Sequence, residues 1–323
     1  MTTTATTISG WSAISPFGLG GADFAAGVRA GRRPATWAVP DFDAREVLGR
    51  KGTRTMDRVT ALAVATTRSL VPGLGEETAL VLGTNVGSVK SSMDFARATL
   101  TEDKPFYVDA GRFPNAVLNC AAAQCGIWHT LKGPNATISG GRATGLLALN
   151  YARRLLRSGR ASGAVLCGAV EEYSAERSWL ENGSPLGEGC AMFRLERAGG
   201  GGVAEVLALE FTVSPDDDQA ADALERCVHR AFTTSGETVE DLWLAVGSGG
   251  DGEDEVVGGL GERRLNVTDL VGDTFAASSA FGIAAVLAFG DAGAGRTALV
   301  TATDRDGVAG CVLLRLAGAG EGT

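Results

Sequence analysis

Few residues in this 323-residue chain can do nucleophilic or acid–base chemistry. There are two histidines, His129 and His229, and six cysteines without CxxC spacing. Cys125 and His129 lie four apart in a stretch read as a helix, residues 115–132, so they can share one face. That spacing leaves two readings open: a Cys/His dyad, or plain packing at an interface. His229 lies in ALERCVHRAF, an amphipathic helix, and reads as a surface or half-buried residue. No His, Cys and carboxylate set has the spacing of a zinc site, so no metal is expected, nor any other cofactor. The Gly-rich run SGGRATG, residues 139–145, opens a helix but lacks the Gly-Lys-Ser/Thr ending of a phosphate loop.

The elements that must position these residues show as short, nearly continuous apolar runs. In the first half they are 79–83 (ALVLG), 164–168 (AVLCG) and 190–195 (CAMFRL); in the second, 242–247 (LWLAVG), 298–302 (ALVTA) and 311–316 (CVLLRL). Runs of this kind fit strands covered on both faces by helices. Cys167, Cys190 and Cys311 sit inside them and read as small buried hydrophobes in a reducing cytoplasm. The spacing repeats as well. Helix-like 146–157 leads through a Gly-containing loop to AVLCG and then GEGCAMFRL; helix-like 281–290 leads through GDAGAG to ALVTATD and then GCVLLRL. A duplicated helix–strand–turn–strand unit predicts two similar α/β halves packed back to back, with 203–213 (VAEVLALEFTV) joining them. The acidic run Asp216, Asp217, Asp218 reads as a solvated loop.

Composition bounds the function. Hydrophobic residues at 45% and charged residues at 21% describe a folded α/β or α+β chain. A net charge of −9 argues against nucleic acid and against an anionic membrane surface. No run is long and apolar enough for a membrane span. The opening MTTTATTISGW has no basic region and no long apolar stretch, so a cytoplasmic location is expected.

Together these segments resemble a β-ketoacyl synthase of the thiolase fold. ISGWSAISPFGLG resembles the family's first strand and turn, GRKGTRTMDRVTALAVATT its basic-then-Asp helix start, and VLGTNVGS its second strand. The sixty-odd residues from FPNAVLNC to GAVEEYS resemble the interface helix, the active-site elbow and the helix behind it. PLGEGCAMFRLE resembles the GEG strand, and GDTFAASSAFGIAAVLA the histidine-bearing helix start. The resemblance implies two duplicated mixed-sheet halves in a five-layer αβαβα arrangement, one over residues 1–200 with a degenerate elbow and the other over 201–323. The very short stretch 174–185 implies a reduced cap.

The family's chemistry needs a thiolate to carry the acyl chain, imidazoles to stabilise the developing anions, and a backbone oxyanion hole. Counting from Gly133-Pro134, the resemblance puts the nucleophile position at Arg142, whose guanidinium is permanently protonated and cannot attack a thioester. A cation at a helix N-terminus is unfavourable by about 0.3–1 kcal/mol, so helix stability does not account for it. The first histidine position falls near Gly247 in VGSGGDGED and the second at Asp273 in GDT; the Phe-rich gating loop is replaced by TDRDG, residues 303–307. Arg142 and Asp273 are expected to form a buried ion pair.

A family member without these groups resembles the chain-length factor, or ketosynthase β, of type II polyketide synthases, although that group usually carries Gln at the position of Arg142. The resemblance implies pairing with an active ketosynthase α subunit, with an acyl carrier protein serving the complex. Phe113, Val117, Leu118, Ala121, Ala122, Cys125 and Trp128 are candidates for a seam that bounds the acyl tunnel, each alternatively ordinary interface core. Two other readings stay open: an enzyme reusing Arg142 and Asp273 for decarboxylation or acyl transfer, and a non-enzymatic homodimeric binder.

Overall fold

The computed structural model describes residues 5–182, 185–198, 201–214 and 219–318; Asp216 to Asp218 lie outside them. Ten strands form one mixed sheet: β1 (Thr6–Ile14), β2 (Ala79–Gly83), β3 (Asn135–Ile138), β4 (Val165–Glu171), β5 (Gly189–Arg197), β6 (Ala204–Val213), β7 (Leu242–Gly247), β8 (Arg263–Asn266), β9 (Thr297–Thr303) and β10 (Val308–Leu316). Their order is β3-β2-β4-β5-β1-β6-β10-β9-β7-β8. Each half carries parallel pairs at its outer side, β2 with β3 and β4, β7 with β8 and β9. Each closes inward with antiparallel pairs, β4–β5–β1 and β9–β10–β6. The halves meet where Thr6–Ile8 of β1 pair with Ala204–Val206 of β6.

Alternation along the strands explains the layers. In β2 and β4, Val81, Val165, Cys167 and Ala169 face a central core, while Leu80, Leu82, Leu166 and Val170 face an outer one. In β9 and β10, Ala298, Val300, Ala302, Val312 and Leu314 face the central core, and Leu299, Cys311 and Leu313 the opposite outer core. A strand covered on both faces has no polar side to show, hence the continuous apolar runs.

The central core holds two helices, Thr144–Arg157 and Ser278–Leu287, the second buried at all ten residues. A helix apolar all round belongs between layers. Gly145 lets the two backbones touch, since a Cβ there would overlap the backbone of Ala280. Helices Arg58–Arg68 and Cys120–Trp128 cover one outer face, and Ala220–Ser235 the other. The result is the five-layer αβαβα thiolase-like arrangement. Between β4 and β5, helix Ala175–Leu180 is the sole helix among the described residues, so the cap is small.

One element differs from expectation. The helix anticipated over 115–132 is a 3₁₀ segment, Ala110–Ala116, followed by the α-helix Cys120–Trp128. Val117 takes an extended conformation, φ −109° and ψ 140°, which parts the two segments. At the other end Thr130 turns to φ 56°, and the Leu131 N–H reaches back to the Gly126 carbonyl at 2.8 Å, closing the helix in a Schellman-type turn.

A buried ion pair ties the scaffold together. Glu188, fully buried at the head of the GEG strand, accepts two bonds from Arg58 at 2.6 and 2.7 Å. It also accepts the N–H groups of Val39 and Tyr173. Asp57 caps the helix that Arg58 begins through the N–H of Thr60.

Candidate functional site

The elbow connects β3 to helix Thr144–Arg157 through a short 3₁₀ turn, Gly141–Ala143. Gly141 takes φ +55°, and a Cβ on it would overlap the Asp304 carboxylate. Thr144 fastens the turn, its hydroxyl donating to the Gly141 carbonyl at 2.6 Å and accepting the Gly140 N–H at 2.9 Å. Arg142 sits at the apex. Its N–H donates to Asp304 Oδ1 at 2.9 Å, and its carbonyl accepts from Ser279 Oγ at 2.7 Å.

The Arg142 guanidinium meets Asp273 end-on, with Nη1 to Oδ1 at 2.8 Å and Nη2 to Oδ2 at 2.6 Å. Both side chains are largely buried, at 16% and 25% exposure. The expected ion pair therefore forms, in the bidentate geometry that suits a guanidinium and a carboxylate. Asp273 Oδ1 also accepts the N–H of Phe275, whose φ of +48° is costly for a bulky residue. The guanidiniums of Arg142 and Arg305 each lie 5.3 Å from the Phe275 ring centre.

Gly247 ends β7, and the loop that follows is organised by Glu253, which is 1% exposed. Its carboxylate accepts from Ser248 N–H (2.5 Å), Ser248 Oγ (2.6 Å), Gly250 N–H (3.2 Å), Thr301 Oγ1 (3.1 Å) and Thr303 N–H (2.8 Å). A Cβ on Gly247 would lie 2.9 Å from Glu253 Oε2, so this carboxylate fills the space beside the end of β7. Glu253 and Asp304 were not singled out from the sequence. Glu253 follows a Gly-rich turn and Asp304 lies in one, and each combines near neighbours with a partner far along the chain, Thr303 for Glu253 and Arg142 for Asp304.

The cavity in front of the elbow measures about 190 Å³. Its charged lining is Arg142 and Arg305 against Glu181, Asp251, Asp273 and Asp304, four carboxylates to two guanidiniums. Arg305 and Glu181 pair across it at 3.3 Å.

The seven seam candidates separate into two groups. Phe113, Val117 and Leu118 are exposed large apolar side chains. Ala121, Ala122 and Cys125 lie in the chain's own outer core with Leu62 and Leu82, as the alternative reading of ordinary core has it for these three. The two groups belong to segments parted by the extended Val117. Trp128 is half-buried and packs over Gly52.

The Cys125/His129 dyad is absent. His129 Nε2 lies 3.0 Å from the Val64 carbonyl, and burial pushes the Cys125 thiol up to about 12, so no thiolate forms. His229 is exposed. Among the described residues no group of His, Cys, Asp and Glu could hold a metal ion, and no helix is long and apolar enough to cross a membrane.

Glu172, at the end of β4, is 2% exposed and bonded by Ser88 Oγ at 2.9 Å. Burial, with smaller help from Asp57 and Glu171, raises its carboxyl from 4.5 to about 7. The folded state therefore keeps a proton that the unfolded state loses above pH 4.5. Its stabilising share is whole below that pH and disappears as pH climbs to about 7. The accumulated loss is on the order of 3 kcal/mol. Glu172→Gln should match the parent at pH 4.5 and exceed it at pH 8 in denaturant melts; equal stabilities at pH 8 would refute this.

Layers and elbow together define a thiolase-like protein. Residues 22–184, half of the chain, match the family Beta-ketoacyl synthase, N-terminal domain, and the chain belongs to that family. A structure described as the ishigamide ketosynthase/chain length factor shares 41% identity at a TM-score of 0.90, over 97% of this chain and all of that one. A type II polyketide ketosynthase in complex with its acyl-carrier protein has the same fold, TM-score 0.82 at 16% identity, over 97% of this chain and 99% of that chain. The 3-oxoacyl-(acyl-carrier-protein) synthase 2 of Vibrio harveyi is 31% identical over 143 residues, 42% of this chain and 34% of the relative. Such matched stretches span between 34% and 59% of the length of curated relatives.

Proposed function

We propose that this chain is a ketosynthase-like subunit without condensing chemistry of its own, a chain-length factor that pairs with an active ketosynthase and shapes its acyl tunnel. The observation that carries the reading is the Arg142–Asp273 pair. A side chain that cannot attack a thioester stands at the elbow, and the acid that neutralises it stands at the second histidine position. The cavity adds to this: its excess of carboxylates repels the carboxylate of a malonyl group. The reading keeps the division into halves at 1–200 and 201–323.

Partnering is supported by the apolar surface the chain leaves uncovered. Phe113, Val117 and Leu118 stand exposed, as do Leu100, Phe106 and Ile127 elsewhere in residues 100–127. Large apolar side chains left exposed in this number within one stretch favour an interface. An acidic carrier protein finds a complementary patch in exposed Arg50, Lys51 and Arg54, for which no ion pair is present among the described residues.

The test is reconstitution. The purified chain alone with malonyl carrier protein should form no carbon–carbon bond, whereas mixing it with an intact ketosynthase should give a stable heterodimer and product. In that pair Leu118→Ala should lengthen the products by enlarging the tunnel. Condensation or decarboxylation by the chain alone would establish the repurposed-enzyme reading instead. A homodimer that ignores the ketosynthase would establish the binder.

A further inference from the structure

The turn Thr303 to Gly307 joins β9 to β10, with the Gly307 N–H on the Asp304 carbonyl at 2.9 Å and the Asp304 N–H on the Val308 carbonyl at 2.8 Å. This turn holds Asp304, 6% exposed, with its carboxylate directed at the elbow. Oδ1 takes the Arg142 N–H at 2.9 Å, and Oδ2 takes the Asp306 N–H at 3.2 Å. The N–H of residue 142 is the backbone donor closest to whatever side chain stands at the apex. In a reacting elbow such a donor faces the oxygen that becomes negative in the tetrahedral state. Here it already faces a full negative charge from the chain itself. Gly141 is what permits this approach, since any Cβ would collide with the carboxylate.

We infer that Asp304 is a built-in block of the elbow: its carboxylate occupies the N–H an oxyanion would need and places a negative charge where a thiolate would form. The inference rests on the reading that residue 142 is the nucleophile position, and deepens it. The missing sulfur is then one of two lesions, and restoring the sulfur does not restore a reactive thiol.

Alkylation of an introduced cysteine measures this. In Arg142→Cys the thiol would face Asp304 and also Asp273, freed of its partner, with Asp251, Glu181 and Arg305 on the cavity's other walls. Asp273→Asn is therefore included throughout. The comparison is Arg142→Cys/Asp273→Asn with and without Asp304→Asn, treated with iodoacetamide from pH 6 to 10. The thiolate sulfur displaces iodide, an S–C bond replaces the C–I bond, and the thiol proton goes to buffer. All six native cysteines are buried, so the parent chain supplies a slow baseline.

Removing one adjacent negative charge lowers a thiol pKa. The variant that also carries Asp304→Asn should react on the order of tenfold faster at pH 7.5, with its rate profile moved about one unit toward acid. Asn keeps the size and acceptor of Asp, so a purely structural role would leave the profile in place. Equal profiles overturn the inference. If the cysteine variants fail to fold, Asp304→Asn in the otherwise native chain is read by hydrogen exchange at the Arg142 amide. Exchange on the order of tenfold faster is expected as the charge-assisted bond weakens; unchanged exchange overturns the inference. Neither readout involves a partner ketosynthase, so failure here is distinct from failure of the subunit reading.

Discussion

Asp273→Ala should lower the unfolding free energy by about 2–4 kcal/mol, because it strands the Arg142 guanidinium, which is only 16% exposed, without its counter-charge. The Phe275 N–H also loses its acceptor, and Phe275 is the residue held at φ +48°. Arg142→Leu should cost less, since Asp273 retains the Phe275 N–H and is more open to water. The double change Arg142→Leu/Asp273→Ala should recover most of the loss, leaving about 1 kcal/mol for the unpaired Phe275 N–H. Buried pairs behave in this asymmetric way: breaking one is costly, while replacing both members by apolar groups is close to neutral. Denaturant melts of the four proteins give the coupling energy. Additive single effects, with no recovery in the double variant, would show that the pair does not hold the pocket together. The pair would then be a consequence of the fold and not one of its fastenings.

The layers were legible in the sequence because their cause is local. A strand such as β4 must be apolar on both faces, and AVLCG announces this within five residues. The repeat of that pattern in the second half pointed to the pseudo-symmetric sheet. Arg142 and Asp273 could be brought together only through the resemblance, since they stand 131 residues apart and no periodicity links them. Asp304 is 162 residues from the N–H it binds, and Glu253 is 50 residues from Thr303. Both occur in or next to Gly- and Asp-rich turns, where composition points to solvent and carboxylates are rarely buried. Their burial follows from converging backbone N–H groups, which every sequence possesses and no residue type reveals. The continuous helix over 115–132 failed for a different reason: Val117 is extended and separates the 3₁₀ segment from the helix Cys120–Trp128, which Thr130 then closes.

Glu253→Ala is expected to cost about 4 kcal/mol, since it leaves the N–H groups of Ser248, Gly250 and Thr303 and two hydroxyls without their common acceptor. Glu253→Gln should lose roughly half as much, because one oxygen remains and the amide nitrogen confronts donors. The consequence reaches past stability. Glu253 holds the loop after β7 to Thr303, and Thr303 immediately precedes Asp304, so the position of the elbow's block depends on it. Gly247→His alone should destabilise the fold, its Cβ already crowding Glu253 Oε2 at 2.9 Å. Combined with Glu253→Ala it should regain part of the loss as the ring fills the vacated space. Thermal melts of these variants measure the order parent, Glu253→Gln, Glu253→Ala. Hydrogen exchange across residues 303–307 reports whether the turn loosens with them. A Glu253→Ala protein as stable as its parent would mean that water replaces the carboxylate without loss. Where the order holds, Glu253 fastens both the loop after β7 and the turn that carries Asp304.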